Sequence, residues 1–128
     1  MINMIEKLNT IKVNLPLHLD GDGNFSYQGK EWNNSTLYTA ASGLEVFDFP
    51  LCALDMSNKP WTMANFIWIL YHVERINKAD LSYPIILTPE GIVCDGWHRI
   101  AKAVLNGSTT IKAVRLISMP EADREGLE

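Results

Sequence analysis

Residues 85–116 read IILTPEGIVCDGWHRIAKAVLNGSTTIKAVRL, and this stretch decides how the rest of the chain is understood. Residues 85–87 are three large apolar side chains in a row, the pattern of a short buried strand. Pro89-Glu90-Gly91 is a turn, and residues 92–94 make a second short strand. Asp95-Gly96 then breaks the extended run and opens a helix over 96–106, which Gly107 closes. Residues 110–116 alternate apolar and polar side chains, the period of a final strand. Trp97, Ile100, Ala101 and Val104 share the expected core face of the helix, while His98 and Lys102 lie four apart on another, with Arg99 adjacent.

The turn into that helix carries the first functional signal. A helix N-terminus presents unpaired backbone N–H groups and a partial positive charge. Gly96 has no Cβ, so a ligand can approach the backbone closely there. His98 donates to a phosphate oxygen in either protonation state, and Arg99 can make two parallel bonds to one. Together with Lys102 these groups form a candidate cradle for phosphate. Asp95 has two readings: a carboxylate holding a divalent cation against the phosphates, or an N-cap for the helix. Arg99 could equally pair with a nearby carboxylate. Trp97 falls on the core stripe, so it is read first as packing and second as a surface for stacking a base.

Working outward, residues 61–78 form a helix with Pro60 at its first position. It carries two apolar stripes: Phe66, Leu70, Val73 and Ile76 on one, Trp61, Ala64, Trp68 and Tyr71 on the other. Two stripes fit a helix packed on both sides, or one whose second face meets a partner chain, such as a homodimer through 61–78. Residues 1–48 read as a β-rich part. A strand over 11–19 and a return over 25–28 flank the turn Asp20-Gly21-Asp22-Gly23-Asn24. Residues 29–35 read as a loop, and 36–41 and 44–49 as two more strands. The spacing of Asp20, Asp22, Asn24, Ser26, Gln28 and Glu31 also matches a twelve-residue calcium loop. Phe25 stands where that loop needs a glycine, so a hairpin is the simpler account. Residues 118–128 are acidic and read as a short helix or tail.

The whole chain is expected to be one α+β domain: its 128 residues suffice for a single core. Fifteen acidic residues against eleven Lys and Arg give a net charge of −4, which disfavours general attraction to nucleic acid. The two cysteines, Cys52 and Cys94, have no paired spacing and are expected to stay reduced. The first seventeen residues are interrupted by Asn, Glu and Lys, unlike a secretory signal, and the longest apolar run, 66–71, is too short to span a bilayer. The expectation is a soluble cytoplasmic protein with no membrane partner.

The run PIILTPEGIVCDGWHRIAKAVLNG…IKAVRL resembles the ParB/sulfiredoxin-like superfamily, through its D-G-x-H-R motif and the order of elements around it. The resemblance covers about residues 49–116, a little over half the chain. It implies a small mixed sheet or barrel with two main helices. It also implies ATP or another nucleoside triphosphate as ligand, with Mg2+ held at Asp95. Sulfiredoxins carry a Cys where this chain has Trp97, so their thiol chemistry is not implied. Free-serine kinases of the same fold carry a motif close to residues 95–99 and use a carboxylate ahead of the first long helix as base. Asp55 is the corresponding candidate, with Asp95 beside the phosphates, and the acceptor would be a small hydroxyl compound. Lys59 resembles the basic residue with which sulfiredoxins grip phosphate. Three readings remain open: a nucleotide-dependent phosphotransferase or hydrolase, a DNA-associated nuclease or partition accessory, and a non-catalytic module that binds nucleotide or protein.

Overall fold

The computed structural model describes residues 3–16, 23–61 and 65–126. The architecture is α+β, built on a four-stranded mixed sheet. Its strands are β3 (Phe47–Pro50), β4 (Ile85–Leu87), β5 (Val93–Asp95) and β6 (Thr110–Arg115), in the spatial order β3-β6-β4-β5. β3 runs antiparallel to β6, β6 parallel to β4, and β4 antiparallel to β5. The parallel pair requires a crossover. Here it consists of β5 followed by α4 (Trp97–Leu105). The turn between β4 and β5 is closed by buried Thr88, whose amide donates to the Ile92 carbonyl at 2.8 Å and whose hydroxyl accepts from the Ile92 amide at 3.0 Å.

Side chains alternate across a strand, so this sheet sorts its residues onto two cores. Ile85, Leu87, Val93, Ile111 and Ala113 face Ile100 and Ala103 of α4. Ile86, Cys94 and Val114, with Leu116 just beyond β6, face the opposite way, onto Trp32 and Leu37. The core face of α4 is therefore turned from the expected one. Ala103 is buried and Val104 is half exposed, because 96, 100, 103 and 107 follow the line of the sheet.

The second core is covered by elements that the sequence reading assigned differently. Residues 11–16, expected to be strand, form none, and Ile11 and Val13 are exposed. The expected turn at 20–24 lies largely outside the described residues, as do the first two positions of the calcium-loop spacing, Asp20 and Asp22; Asn24, Ser26, Gln28 and Glu31 fall in a β-hairpin. The hairpin instead joins β1 (Asn24–Tyr27) to β2 (Lys30–Asn33) through Gln28 and Gly29, both at positive φ (52° and 75°). Those angles belong to a two-residue turn whose twist matches that of the strands. The predicted strand at 36–41 is a helix, α2 (Asn34–Ala41). Leu37, Ala40 and Ala41 recur at helical spacing and pack on the second core, which overrides the β preference of the threonines.

The acidic tail is also neither helix nor loose. Its strand β7 (Arg124–Glu125) pairs antiparallel with β2, completing a three-stranded sheet. Trp32 Nε1 donates to the Pro120 carbonyl at 2.8 Å, and Arg124 pairs with Glu31 at 2.7 Å. The Asp123 carboxylate accepts from the Asn33 amide and the Thr36 hydroxyl, at the start of α2 where negative charge is favourable. Those bonds hold its carboxyl below the ordinary range. Of the two forms expected, a small mixed sheet or a barrel, the described strands make the first: a mixed sheet beside a smaller antiparallel one, both open.

Helix α3 (Phe66–Lys78) begins on Asn65, whose side chain accepts from the Trp68 amide at 3.2 Å, and not on Pro60. Only one of its stripes is covered. Tyr71 and His72 are buried, while Phe66, Ile69 and Val73 face outward, so the helix is not packed on both sides. A short helix, α1 (Met4–Leu8), precedes these elements and buries none of its residues. No described helix is long and apolar enough to cross a membrane.

Candidate functional site

α3 and α4 lie against each other, and Lys102 ties them. Its ammonium donates to the carbonyls of Asn77 at 3.0 Å and Ala79 at 2.7 Å, satisfying the end of α3. Lys102 thus serves as a brace between the helices. Above it a cleft of about 960 Å³ opens along the first turn of α4. Its lining includes Gly96, Trp97, His98 and Arg99 of the motif, with Asp95 at the end of β5. It also includes Tyr38 from α2, His72 and Arg75 from α3, and Trp61 from the preceding loop.

Gly96 is the N-cap of α4 at φ 122°, and no side chain caps this helix. Asp95 is therefore not the cap. Its carboxylate instead accepts from Arg99 Nη2 at 2.7 Å, with both side chains largely buried. The Tyr38 hydroxyl lies close enough to the same carboxylate to feel its charge. Burial, then the charge of Asp95, pushes the Tyr38 phenol up from its ordinary value. Arg99 Nε is buried and has no hydrogen-bond partner among the described residues.

His98 meets a residue that the sequence reading did not single out. Its Nε2 lies 2.9 Å from Nδ1 of His72, one N–H bridging the two rings. The ring planes are 16° apart, and the Trp61 indole stacks on both, at centroid distances of 4.5 Å to His72 and 4.3 Å to His98. The signal for His72 was its place beside Tyr71 on an otherwise apolar stripe. A polar group on a buried stripe needs a partner. Tyr38 and Arg75 were missed as well: the first sat in a segment read as strand, the second is an ordinary helix surface residue by pattern.

Like Lys102, which the sequence placed in the cradle, two more expected site residues lie outside the cleft lining. Asp55 and Lys59 are exposed and do not line the cleft. Asp55 accepts from the Ser57 hydroxyl at 2.6 Å and from the Ser57 amide at 3.0 Å. Those bonds hold its carboxyl below the ordinary range, which weakens it as a base. Among the described residues no three His, Cys, Asp or Glu side chains converge to hold a metal. Asp95, the expected Mg2+ ligand, is already paired with Arg99, so these residues do not by themselves fit a metal.

The chain matches no protein family, no curated protein and no solved structure.

Cys94 lines the cleft from below and bears on thiol chemistry. Burial, then the charges of Asp95 and Glu90, pushes its thiol up to about 12. At neutral pH it is not a nucleophile. We expect one fast-reacting thiol, the exposed Cys52, when the native protein meets a disulfide reagent at pH 8, and two in urea. Two fast thiols in the native protein would contradict the placement of Cys94. The unfolded thiol ionises near its ordinary value of about 9 and the folded one near 12. The contribution of Cys94 is therefore constant below pH ~9 and is lost as pH rises from there toward 12.

Proposed function

We propose that this chain is a ParB/sulfiredoxin-like domain whose cleft binds the phosphates of a nucleotide. The observation that carries the reading is the start of α4. The helix opens on Gly96 without a side-chain cap, and the residues of its first turn line the cleft beside Arg75 and Arg99. Backbone donors, helix polarity and guanidinium groups then converge on one space. Its volume lies within the usual range for a small-molecule site, and Trp61, Trp68 and Trp97 offer apolar ring surface for a base.

Binding is favoured over turnover. Phosphoryl transfer needs a base beside the phosphates, and Asp55, the candidate, does not line the cleft. A Mg2+ ion would have to arrive coordinated by the nucleotide's own phosphates. The DNA-associated reading draws no support from the net charge of −4.

Thermal unfolding with ATP, ADP or CTP, each with and without Mg2+, tests the assignment. A nucleotide at one hundred times its Kd stabilises the fold by about 2.7 kcal/mol. We expect the melting temperature to rise by several degrees with at least one of them, and phosphate release over a panel of small hydroxyl compounds to report any turnover. No shift with any of the three would remove the reading.

A further inference from the structure

We propose that the positive charge this cleft needs for an anion is supplied by one proton, taken up on the His72–His98 pair beneath Trp61 when the anion binds. The inference rests on the nucleotide reading above and names how that site carries its charge.

The fixed charges around the cleft cancel. Among its described lining residues, Arg75, Lys78 and Arg99 stand against Glu74, Asp80 and Asp95. Lys78 is bonded to Glu74 at 2.8 Å and Arg99 to Asp95 at 2.7 Å, so two of the three cations are already neutralised. The start of α4 adds only about half a charge. A nucleotide brings several negative charges into a space whose described ions sum to zero.

The histidine pair can change that sum. A centroid separation of 5.1 Å with an N···N distance of 2.9 Å places the rings end to end along the bridging N–H. Lone pairs aimed head-on cannot meet at one metal ion, so this arrangement is a hydrogen bond and not half of a metal site. One of the two bridging nitrogens carries the hydrogen and the other accepts it. A proton added at an outer nitrogen leaves that bond intact. A second would put hydrogens on both bridging nitrogens and break it. The capacity of the pair is one proton.

Trp61 favours that proton. Its centroid is almost equidistant from the two imidazoles, which sets the indole over the bridging bond at about van der Waals contact, roughly 3.5–4 Å. The face of an indole attracts a cation lying against it. Among the described residues that line the cleft with the pair, the ionisable side chains are Tyr71, Glu74 and Arg75 of α3, Cys94 and Asp95 of β5, Arg99 of α4 and Tyr38 of α2. Lys78 and Asp80 line the same cleft from the end of α3. With the two ion pairs set aside, the imidazoles are the groups among these described residues able to add positive charge.

By linkage, affinity for the anion rises as pH falls through the titration of the pair, by at most about tenfold per pH unit. The test uses the full 128-residue chain. Calorimetry of ATP binding in Pipes, Hepes and Tris at one pH gives the protons taken up, from the dependence of heat on buffer ionisation. We expect close to one for the wild type. Ligand-free NMR titration of the imidazoles should show His72 and His98 moving together in one step amounting to one proton. Trp61→Leu should shift that step down by about half to one pH unit, since it removes the indole face. Two independent full-proton titrations, or heats that do not depend on the buffer, overturn the inference while nucleotide binding stands. Absence of any heat with ATP, ADP and CTP alike overturns the nucleotide reading and, with it, the ligand half of the inference.

Discussion

Gly96→Ala will cost about 3 kcal/mol of folding stability, the sum of two separate effects at one atom. The backbone at Gly96 has φ 122°, a region that side chains with a Cβ rarely enter. A Cβ built there would also lie 2.4 Å from Cγ2 and 2.8 Å from Cβ of Ile85. Ile85 is fully buried in the sheet and cannot move aside. Either effect alone costs about 1–3 kcal/mol. Urea unfolding should show the loss, and the melting temperature should fall by about 10 °C. A variant within 1 kcal/mol of wild type would mean that β5 and α4 do not meet as described. The glycine anticipated for ligand approach is thus required first by the fold: β5 can turn into α4 over β4 only without a side chain there.

Arg99→Met is the second large effect. It keeps most of the side chain's volume and removes the partner of Asp95, whose side chain is 16% exposed. An uncompensated carboxylate in a largely buried position costs several kcal/mol. Discounted for the remaining solvent contact, we expect a loss of about 2–3 kcal/mol at pH 7. Adding Asp95→Asn should recover most of it, because the neutral amide keeps the shape and leaves no charge to bury. The double-mutant cycle should return a coupling of about 2–3 kcal/mol. Independent losses from the two substitutions would show that solvent screens the pair. Loss of ligand by an Arg99 variant must therefore be read beside its stability, and Asp95→Asn/Arg99→Met is the better-folded comparison.

The contrast between sequence and structure follows from how local each signal is. Residues 85–116 were legible because each element there is bounded by its own turn chemistry: Pro89 to Gly91, Gly96 and Gly107. The first forty residues were not. The threonines of α2 favour a strand locally, and the helix is selected by Trp32 and Leu116, which lie far apart in sequence and offer an apolar surface for Leu37. The same holds for the site. Gly96, Trp97, His98 and Arg99 came as one motif and line one cleft. His72 reaches His98 across 26 positions, and Tyr38 reaches Asp95 from a different layer, so neither contact has a spacing to read. Asp55 and Lys59 were placed by analogy of loops, the least transferable part of any fold.

The pairing of Glu31 with Arg124 joins residues 93 positions apart. Closing so long a loop is entropically unfavourable until the segments between are already compact. The hairpin of residues 24–33 can assemble early, since its strands are neighbours, but its third strand must wait for residues 110–116 to be seated. The order of assembly therefore runs from the larger sheet to the smaller one. Amides of residues 123–125 should exchange with solvent sooner than those of residues 111–115, through openings that leave the larger sheet closed.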